Sequence, residues 1–353
     1  MLFTAKGSAE NASSSRVKLA MSVDPASLSI IAPCFNEQEV LPEFLRRVQA
    51  VCEQLDRRYE IVLVDDGSHD NSWSIIVAAA TADHRIVGVR LRRNHGHQLA
   101  LSAGIAASVG ALVLLIDADL QDPPELLPAM IERMRVEAAD VVYGQRRQRA
   151  GESLFKRTSA AAFYRLIGWL SEIEIPRDTG DFRLITRQVA DLLCQMPEHH
   201  RFVRGMVAWI GGRQVPLLYD RMARQAGATK YPLRHMLRFA ADAITGFSRR
   251  PLQIATGFGI LAGLSSALLA VYSMVGWALG DNVPGWTSLM SVIGFYSALQ
   301  FFMLGLLGEY IGRLYEESRG RPLFLEAGRI GLGLRHSRPD SSDRSFERSD
   351  LQE

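Results

Sequence analysis

Two stretches near the C-terminal end, residues 251–280 and 282–308, contain no Asp, Glu, Lys or Arg. Each exceeds the roughly 20 residues that carry a helix across a bilayer, and core helices of soluble proteins rarely run so long without charge. Only Asp281 is charged between them, beside a turn signal at Asn282, Pro284 and Gly285. A two-helix transmembrane hairpin is therefore expected over 251–312, with Trp277 and Trp286 near its tip, where interfacial aromatics settle. Basic residues set the orientation. Arg234, Arg238, Arg249 and Arg250 precede the first span, Arg313, Arg319 and Arg321 follow the second, and the connecting loop has neither Lys nor Arg. The positive-inside rule places both flanks, and the large region before them, on the cytoplasmic side of an inner or plasma membrane.

The segment 231–250 is expected to be juxtamembrane. Its residues 231–247 mix Leu233, Met236, Leu237 and Phe239 with two arginines, which suits a helix lying along the membrane surface or one packed on the globular region. Gly257, Gly259, Gly263, Gly305 and Gly308 permit close helix packing, within the hairpin or between copies in a homo-oligomer. Residues 1–26 read as a flexible leader without a signal-peptide core, and 313–353 as a cytoplasmic tail, partly disordered and polar after Leu334. A net charge of +2 gives no footing for nucleic-acid binding. Cys34, Cys52 and Cys194 lack paired or metal-type spacing and are expected to be thiols that mostly pack, in a reducing compartment.

Between 27 and 230 the pattern alternates. Apolar runs at 28–33, 61–64, 86–91 and 111–116 read as strands, and helical spacing appears at 40–55, 71–82 and 98–108. Such alternation predicts a mostly parallel sheet covered on both faces, with ligands bound outside the carboxyl ends of the strands. Three strand ends carry polar clusters: Asn36-Glu37, Asp65-Asp66 and Asp117-Ala118-Asp119. No Gly-x-Gly-x-x-Gly follows the first strand and no Walker-type loop is present, which argues against a dinucleotide dehydrogenase or a P-loop enzyme.

Asp117 and Asp119 sit two apart at a strand end, where alternate side chains share a face and converge on one cation. Two carboxylates with diphosphate oxygens and water suit Mg2+ or Mn2+. Blander readings stand beside these. Asp65-Asp66-Gly67-Ser68 has turn composition. Asp181 would cap a helix starting at Phe182. His95, His97, His199 and His200 lack ligand spacing and are expected to be solvated or packed, and Arg146, Arg147 and Arg149 to form a solvated loop.

An ordered set of motifs from about residue 28 to 321 resembles the family 2 glycosyltransferases, in their polyprenyl-phosphate branch. It comprises Pro33-Cys34-Phe35-Asn36-Glu37, Val64-Asp65-Asp66-Gly67-Ser68, Arg93-Asn94-His95-Gly96, Asp117-Ala118-Asp119-Leu120-Gln121-Asp122-Pro123-Pro124-Glu125, Thr179-Gly180-Asp181-Phe182-Arg183, Ala226-Gly227-Ala228-Thr229-Lys230-Tyr231 and Leu306-Leu307-Gly308-Glu309-Tyr310-Ile311-Gly312-Arg313. The resemblance implies an α/β domain of the GT-A type, Rossmann-like, over 27–230, followed by the two membrane helices. It implies an inverting, metal-dependent transfer of a sugar from a nucleotide diphosphate to polyprenyl phosphate, such as undecaprenyl phosphate, in cell-envelope glycan modification. Pro33, Asn36, Glu37, Asp66, Asp117 and Arg183 would line the nucleotide pocket, and Asp117, Asp119 and Gln121 would hold Mg2+ or Mn2+. Asp119 and Asp181 would be catalytic. Arg224 and Lys230 would clamp phosphates, with Arg249 and Arg250 drawing in the lipid head. Ala228-Thr229 stands where the branch usually has Glu-Ser, which touches the phosphate clamp.

Glucose from UDP-glucose is the expected donor, since the Thr-Gly-Asp-Phe-Arg form is most similar to the bactoprenol glucosyltransferases. GDP-mannose and UDP-aminosugars are the alternatives. Two spans are too few for the channel of a processive synthase, whose Gln-x-x-Arg-Trp signature is absent. A non-catalytic nucleotide-sugar-binding membrane scaffold is the reading from another class.

Overall fold

The computed structural model describes residues 27–147, 179–220, 250–279 and 285–334. The leader, Arg149, Arg224, Lys230, the segment 231–247, Arg249, Asp281 and the tail beyond Leu334 lie outside the described residues.

The first half alternates as the apolar runs predict: β1 (Leu28–Cys34), α1 (Leu41–Glu53), β2 (Tyr59–Asp65), α2 (Ser72–Ala82), β3 (Ile86–Leu91), α3 (His97–Ala107) and β4 (Leu112–Leu115). A single 3-10 turn, Pro124–Leu126, leads into α4 (Leu127–Val136) and β5 (Val141–Arg146). After the next described residue come β6 (Thr179–Thr186), α5 (Arg187–Gln195), α6 (Val203–Ile210) and β7 (Gln214–Tyr219). Two long helices follow, α7 (Arg250–Ala278) and α8 (Trp286–Ser318), then a last strand, β8 (Glu326–Ile330).

These strands form one sheet in the order β7-β5-β6-β4-β1-β2-β3-β8. β1 pairs in parallel with β2 and β4, β2 with β3, and β5 with β7, while β6 runs antiparallel to both β4 and β5. β1 and β2 are buried along their whole length, as strands covered on both faces must be. Alternate residues feed two separate cores. Ile30, Ile61, Leu63 and Leu114 pack with Phe44 and Val48 of α1 and Met130 of α4 on one face. Ile31, Val62, Val64 and Val113 pack with Leu101 and Ile105 of α3, Leu193 of α5 and Met206 of α6 on the other. Truncating one of these fully buried Ile or Leu side chains to Ala costs about 2–5 kcal/mol.

Two sequence expectations need correction here. Residues from Phe182 onward continue a strand, not a helix, so Asp181 caps nothing; the helix begins at Arg187. Strand β4 ends at Leu115, so Asp117 and Asp119 stand in the turn beyond it and strand alternation does not orient them. In that turn Leu120 takes φ 58° and the Gln121 amide donates to Asp119 Oδ1 at 3.1 Å.

β8 was not foreseen. It lies beyond both long helices yet pairs antiparallel with β3 at the edge of the sheet. The Leu334 amide then donates to Glu60 Oε2 at 3.0 Å, and the Gly333 amide to the His84 carbonyl at 3.2 Å.

The long helices contain apolar windows of 25 and 28 residues, Leu252–Gly276 and Ser291–Ser318, with mean hydropathy 1.9 and 1.6 and none of either window buried. Both are long enough to cross a membrane, and their uncovered apolar faces are consistent with membrane association. The Ser265 and Tyr296 hydroxyls hydrogen-bond across the pair. At the far end of α8 the helix meets the globular region: His199 Nδ1 lies 2.9 Å from Glu317 Oε2 and His200 Nε2 2.7 Å from Glu316 Oε2. His199 Nε2 also faces the Arg321 carbonyl at 2.8 Å. A ring nitrogen facing a carbonyl must donate, so Nε2 carries a proton, and the bond to Glu317 raises the pKa of the ring. His199 is thus more than a packed residue, whereas His200 is exposed, as expected, beside Glu316.

Candidate active site

The polar strand ends are joined into one edge by hydrogen bonds between successive loops. Asn36 takes φ 56°, a conformation that Asn tolerates better than most residues. Its amide donates to Ser68 Oγ at 3.0 Å, and its Oδ1 accepts the His69 amide at 2.9 Å. The Glu37 amide donates to Ser72 Oγ at 2.9 Å. Pro33 is buried at the end of β1, in register with Val64, and so shapes the loop from below.

Asp66, 3% exposed, accepts the His95 amide at 2.7 Å and the Gly96 amide at 2.9 Å. Burial raises its pKa, and these two amide bonds pull the other way. Gly67 beside it has φ +72°, and a Cβ there would stand 2.7 Å from the Arg93 carbonyl carbon. The turn-like composition of Asp65-Asp66-Gly67-Ser68 therefore has a specific use. It brings the β2 and β3 loops into backbone contact.

Beyond Gly96 the chemistry changes from amides to charges. Asp181, 8% exposed on β6, receives Gln98 Nε2 at 2.8 Å and His97 Nε2 at 3.1 Å on one oxygen. Arg204 Nε pairs with the other at 3.2 Å. His97 Nε2 also lies 3.4 Å from Asp117 Oδ1. Desolvation opposes the charge on Asp181, but His97, Arg204 and Arg183 together hold its pKa well below the usual carboxylate range. His97 shows the converse. Desolvation would lower it, yet the bond to Asp181 and the charges of Asp117 and Asp181 lift it to about 9. Desolvation pushes Asp117 up to about 6; His97 pulls against this, and Asp181, Asp122 and Asp119 add to the rise.

The remainder of the acidic motif is a tether. Asp122, 1% exposed, accepts the Tyr219 hydroxyl, with Arg146 4.0 Å away. Glu125 takes both Arg47 Nε and Arg47 Nη2, at 2.7 and 2.6 Å, which ties the turn to α1. The Asp117–Gln121 turn is thereby pinned from two sides.

The structure thus brings Asp117 and Asp181 together through His97, places Asp119 and Gln121 in the adjoining turn, and sets Asn36, Glu37 and Asp66 along the same edge. Arg183 is not with them. It is 4% exposed within the sheet, its Nη2 donating to the Gly180 carbonyl at 2.9 Å, and burial lowers its pKa to about 10. It acts on Asp181 from beneath and does not line an open pocket. Arg250 is the first residue of α7.

Sequence reasoning missed His97, Gln98 and Arg204, and it assigned Arg146 to a solvated loop. The expectation of solvated or packed histidines fails at His97, which bridges two site carboxylates. Arg146 ends β5 and faces Asp122 and Tyr219, while Arg147 is exposed beside Asp220 as expected. No local signal marks His97 or Arg204, because Asp181 lies 84 residues from the first and on a different element from the second. Asp117 and Asp119 offer the oxygen donors that a hard divalent cation prefers. Among the described residues, no three His, Cys, Asp or Glu side chains form a closed metal cage.

Comparison with known proteins agrees with this geometry. Residues 29–193 match the model of glycosyl transferase family 2, and residues 250–314 match the GtrB C-terminal hairpin. The uncharacterized glycosyltransferase YkcC of Bacillus subtilis is 41% identical over 86% of this chain and 94% of its own. The uncharacterized glycosyltransferase sll0501 of Synechocystis is 42% identical, over 86% of this chain and 96% of its own. The bactoprenol glucosyl transferase of Shigella phage SfX is 36% identical, over 84% and 98%. In class, then, this is a glycosyltransferase with a mixed, mostly parallel sheet and two apolar helices consistent with membrane association. The chain belongs to glycosyl transferase family 2.

Proposed function

We propose that this enzyme transfers glucose from UDP-glucose to a polyprenyl phosphate such as bactoprenyl phosphate, at the cytoplasmic face of the membrane. The observation that carries the reading is the charge cluster at Asp181, His97, Arg204 and Asp117, set at the carboxyl edge of a sheet whose chain continues into an uncovered apolar hairpin. The similarity to bactoprenol glucosyl transferases over most of the chain supports both the sugar and the acceptor.

In this reading the edge formed by Asn36, Glu37, Asp66 and the 95–96 amides receives the nucleotide. Asp117 and Asp119, with Gln121 beside them, would hold Mg2+ or Mn2+. The fit rests on the donor set: the carboxylate oxygens of Asp117 and Asp119 suit a hard cation, and the desolvation that raises Asp117, with the neighbouring acidic charges adding to it, favours a cation beside it. When bound, the cation would offset charge on the departing diphosphate.

A phosphate oxygen of the lipid forms the bond to the anomeric carbon as the bond from that carbon to the diphosphate oxygen breaks, and UDP leaves with the electron pair. A phosphate monoester, with a second pKa of about 6, is already largely dianionic at neutral pH and needs no strong base. Asp181, ionised, hydrogen-bonded by His97 and Gln98 and paired with the Arg204 charge, is a weak base in any case. Its task is to position: it fixes His97 and Arg204, whose positive charge faces the anionic acceptor. Arg224, Lys230, Arg249 and Arg250 are assigned to the phosphates and the lipid head, since basic juxtamembrane groups attract anionic lipid. Residues 27–230 make up most of the catalytic unit and 251–312 the anchor, with both flanks cytoplasmic by their arginines.

The test uses detergent-purified full-length protein, undecaprenyl phosphate, Mg2+ or Mn2+, and radiolabelled UDP-glucose, GDP-mannose and UDP-N-acetylglucosamine. Label entering the organic phase from UDP-glucose alone, and lost with Asp119→Ala, is the expected result. Transfer from another donor would overturn the sugar, and transfer from none the reaction.

A further inference from the structure

Asp181 shares one of its donors with a different element. Gln98, in the first turn of α3, places its Nε2 2.8 Å from Asp181 Oδ2, while its Oε1 accepts the Val203 backbone amide at 2.8 Å. Val203 begins α6, whose first-turn amides have no partner within the helix. A backbone N–H only donates, so it fixes the amide oxygen of Gln98 on that side and turns the NH2 group towards Asp181. The orientation of Gln98 is therefore set by the fold.

The next residue along α6 is Arg204. Its Nε pairs with Asp181 Oδ1 at 3.2 Å, and its Nη1 donates to the Thr179 carbonyl at 2.8 Å. Gln98 thus holds both ends of one relation, the carboxylate itself and the helix start that delivers its cationic partner. A neutral amide can do this without cancelling the charge on Asp181, whereas another cation would.

We propose that Gln98 is a positioning residue for sugar transfer, locking the Asp181 carboxylate to the N-terminus of α6 so that His97 and Arg204 are presented to the acceptor in one geometry. This rests on the reading of Asp181 as an acceptor-side group in a glucosyl transfer. The side-chain hydrogen bonds of Gln98 run to Asp181 and to the Val203 amide, away from the Asn36–Asp66 edge, so its effect belongs to turnover and not to nucleotide binding. A carboxylate displaced by about 1 Å costs up to about 100-fold in rate.

Two substitutions separate the halves of the role. Gln98→Glu keeps an oxygen for the Val203 amide but presents a carboxylate oxygen, not an N–H, to Asp181. Gln98→Leu loses both bonds at similar volume. In the lipid-transfer assay both are expected to lower kcat about 10- to 100-fold, with the KM for UDP-glucose and the Kd for UDP within about two-fold of wild type. Full kcat in Gln98→Glu, with loss only in Gln98→Leu, would reduce Gln98 to a helix cap and overturn the proposal. A parallel loss of UDP affinity in both variants would overturn it as general disruption. Wild-type protein that binds UDP but transfers no glucose would instead sink the underlying reaction, and this proposal with it.

Discussion

The two halves of the site are built from different forces. On the Asn36–Asp66 side, loops are joined by backbone amides to Ser68 Oγ, Ser72 Oγ and the buried Asp66 carboxylate. On the Asp181 side, the contacts run between charges: Asp181, Asp117, His97 and Arg204. An amide framework has a fixed shape that responds little to salt, and to pH only through the buried Asp66 carboxylate. A charge cluster is strong only while its protonation states hold, and it can respond to an anionic or cationic ligand. We read the first half as a mould for a constant group, the nucleotide, and the second as the place where charge moves.

That contrast can be tested at each side. The largest effect is expected at the charged half: Asp181→Ala should lower kcat by about 10²–10³-fold, the scale of losing one preorganised electrostatic group, in a steady-state lipid-transfer assay. On the framework side, Asp66→Ala strips the His95 and Gly96 amides of their partner, at about 1–3 kcal/mol for each group left unsatisfied. Denaturant unfolding should show that loss, and UDP affinity should fall with it. Gly67→Ala forces a Cβ against the Arg93 backbone at positive φ, at about 1–3 kcal/mol, read as a lowered thermal midpoint.

The pH response should separate the halves most cleanly. In protein stripped of divalent cations, His97 at about 9 contributes stability that is present in full below its unfolded value near 6.5 and is lost as pH rises through 9. Asp117, raised to about 6, also loses stability as pH rises, between about 4 and 6. Asp181 is depressed, so its contribution is present above the unfolded carboxylate value and is lost on acidification. The thermal midpoint should therefore fall between about pH 6.5 and 9, and His97→Asn should flatten that fall. An unchanged slope in His97→Asn would place the titration elsewhere. The smallest effect is expected at Arg47→Ala. Its partner Glu125 is half exposed, so stability should change by only about 0–1 kcal/mol, while loosening of the Asp117–Gln121 turn would appear as a raised metal requirement.

What was legible in the sequence divides along similar lines. β1 to β4 and α1 to α3 could be placed because fully buried strands read as unbroken apolar runs between amphipathic helices, and their polar ends read as turns. β6 was misread as the start of a helix because Phe182, Leu184 and Ile185 are buried on both faces, which leaves no alternation to recognise. β8 was invisible for a different reason. Its pairing with β3 is antiparallel and spans more than two hundred residues, across both long helices. Within the site, Asp117, Asp119 and Asp181 stood out as acidic motifs. His97, Gln98 and Arg204 matter only through a carboxylate that the chain delivers from elsewhere, and nothing in their local spacing encodes that.

The most direct test of the two-part site is to measure UDP binding and glucose transfer on the same preparation of Asp181→Ala, beside wild type. The account predicts a UDP Kd within about two-fold of wild type together with the 10²–10³-fold loss of transfer. Equal losses in both, or transfer at the wild-type rate, would contradict it.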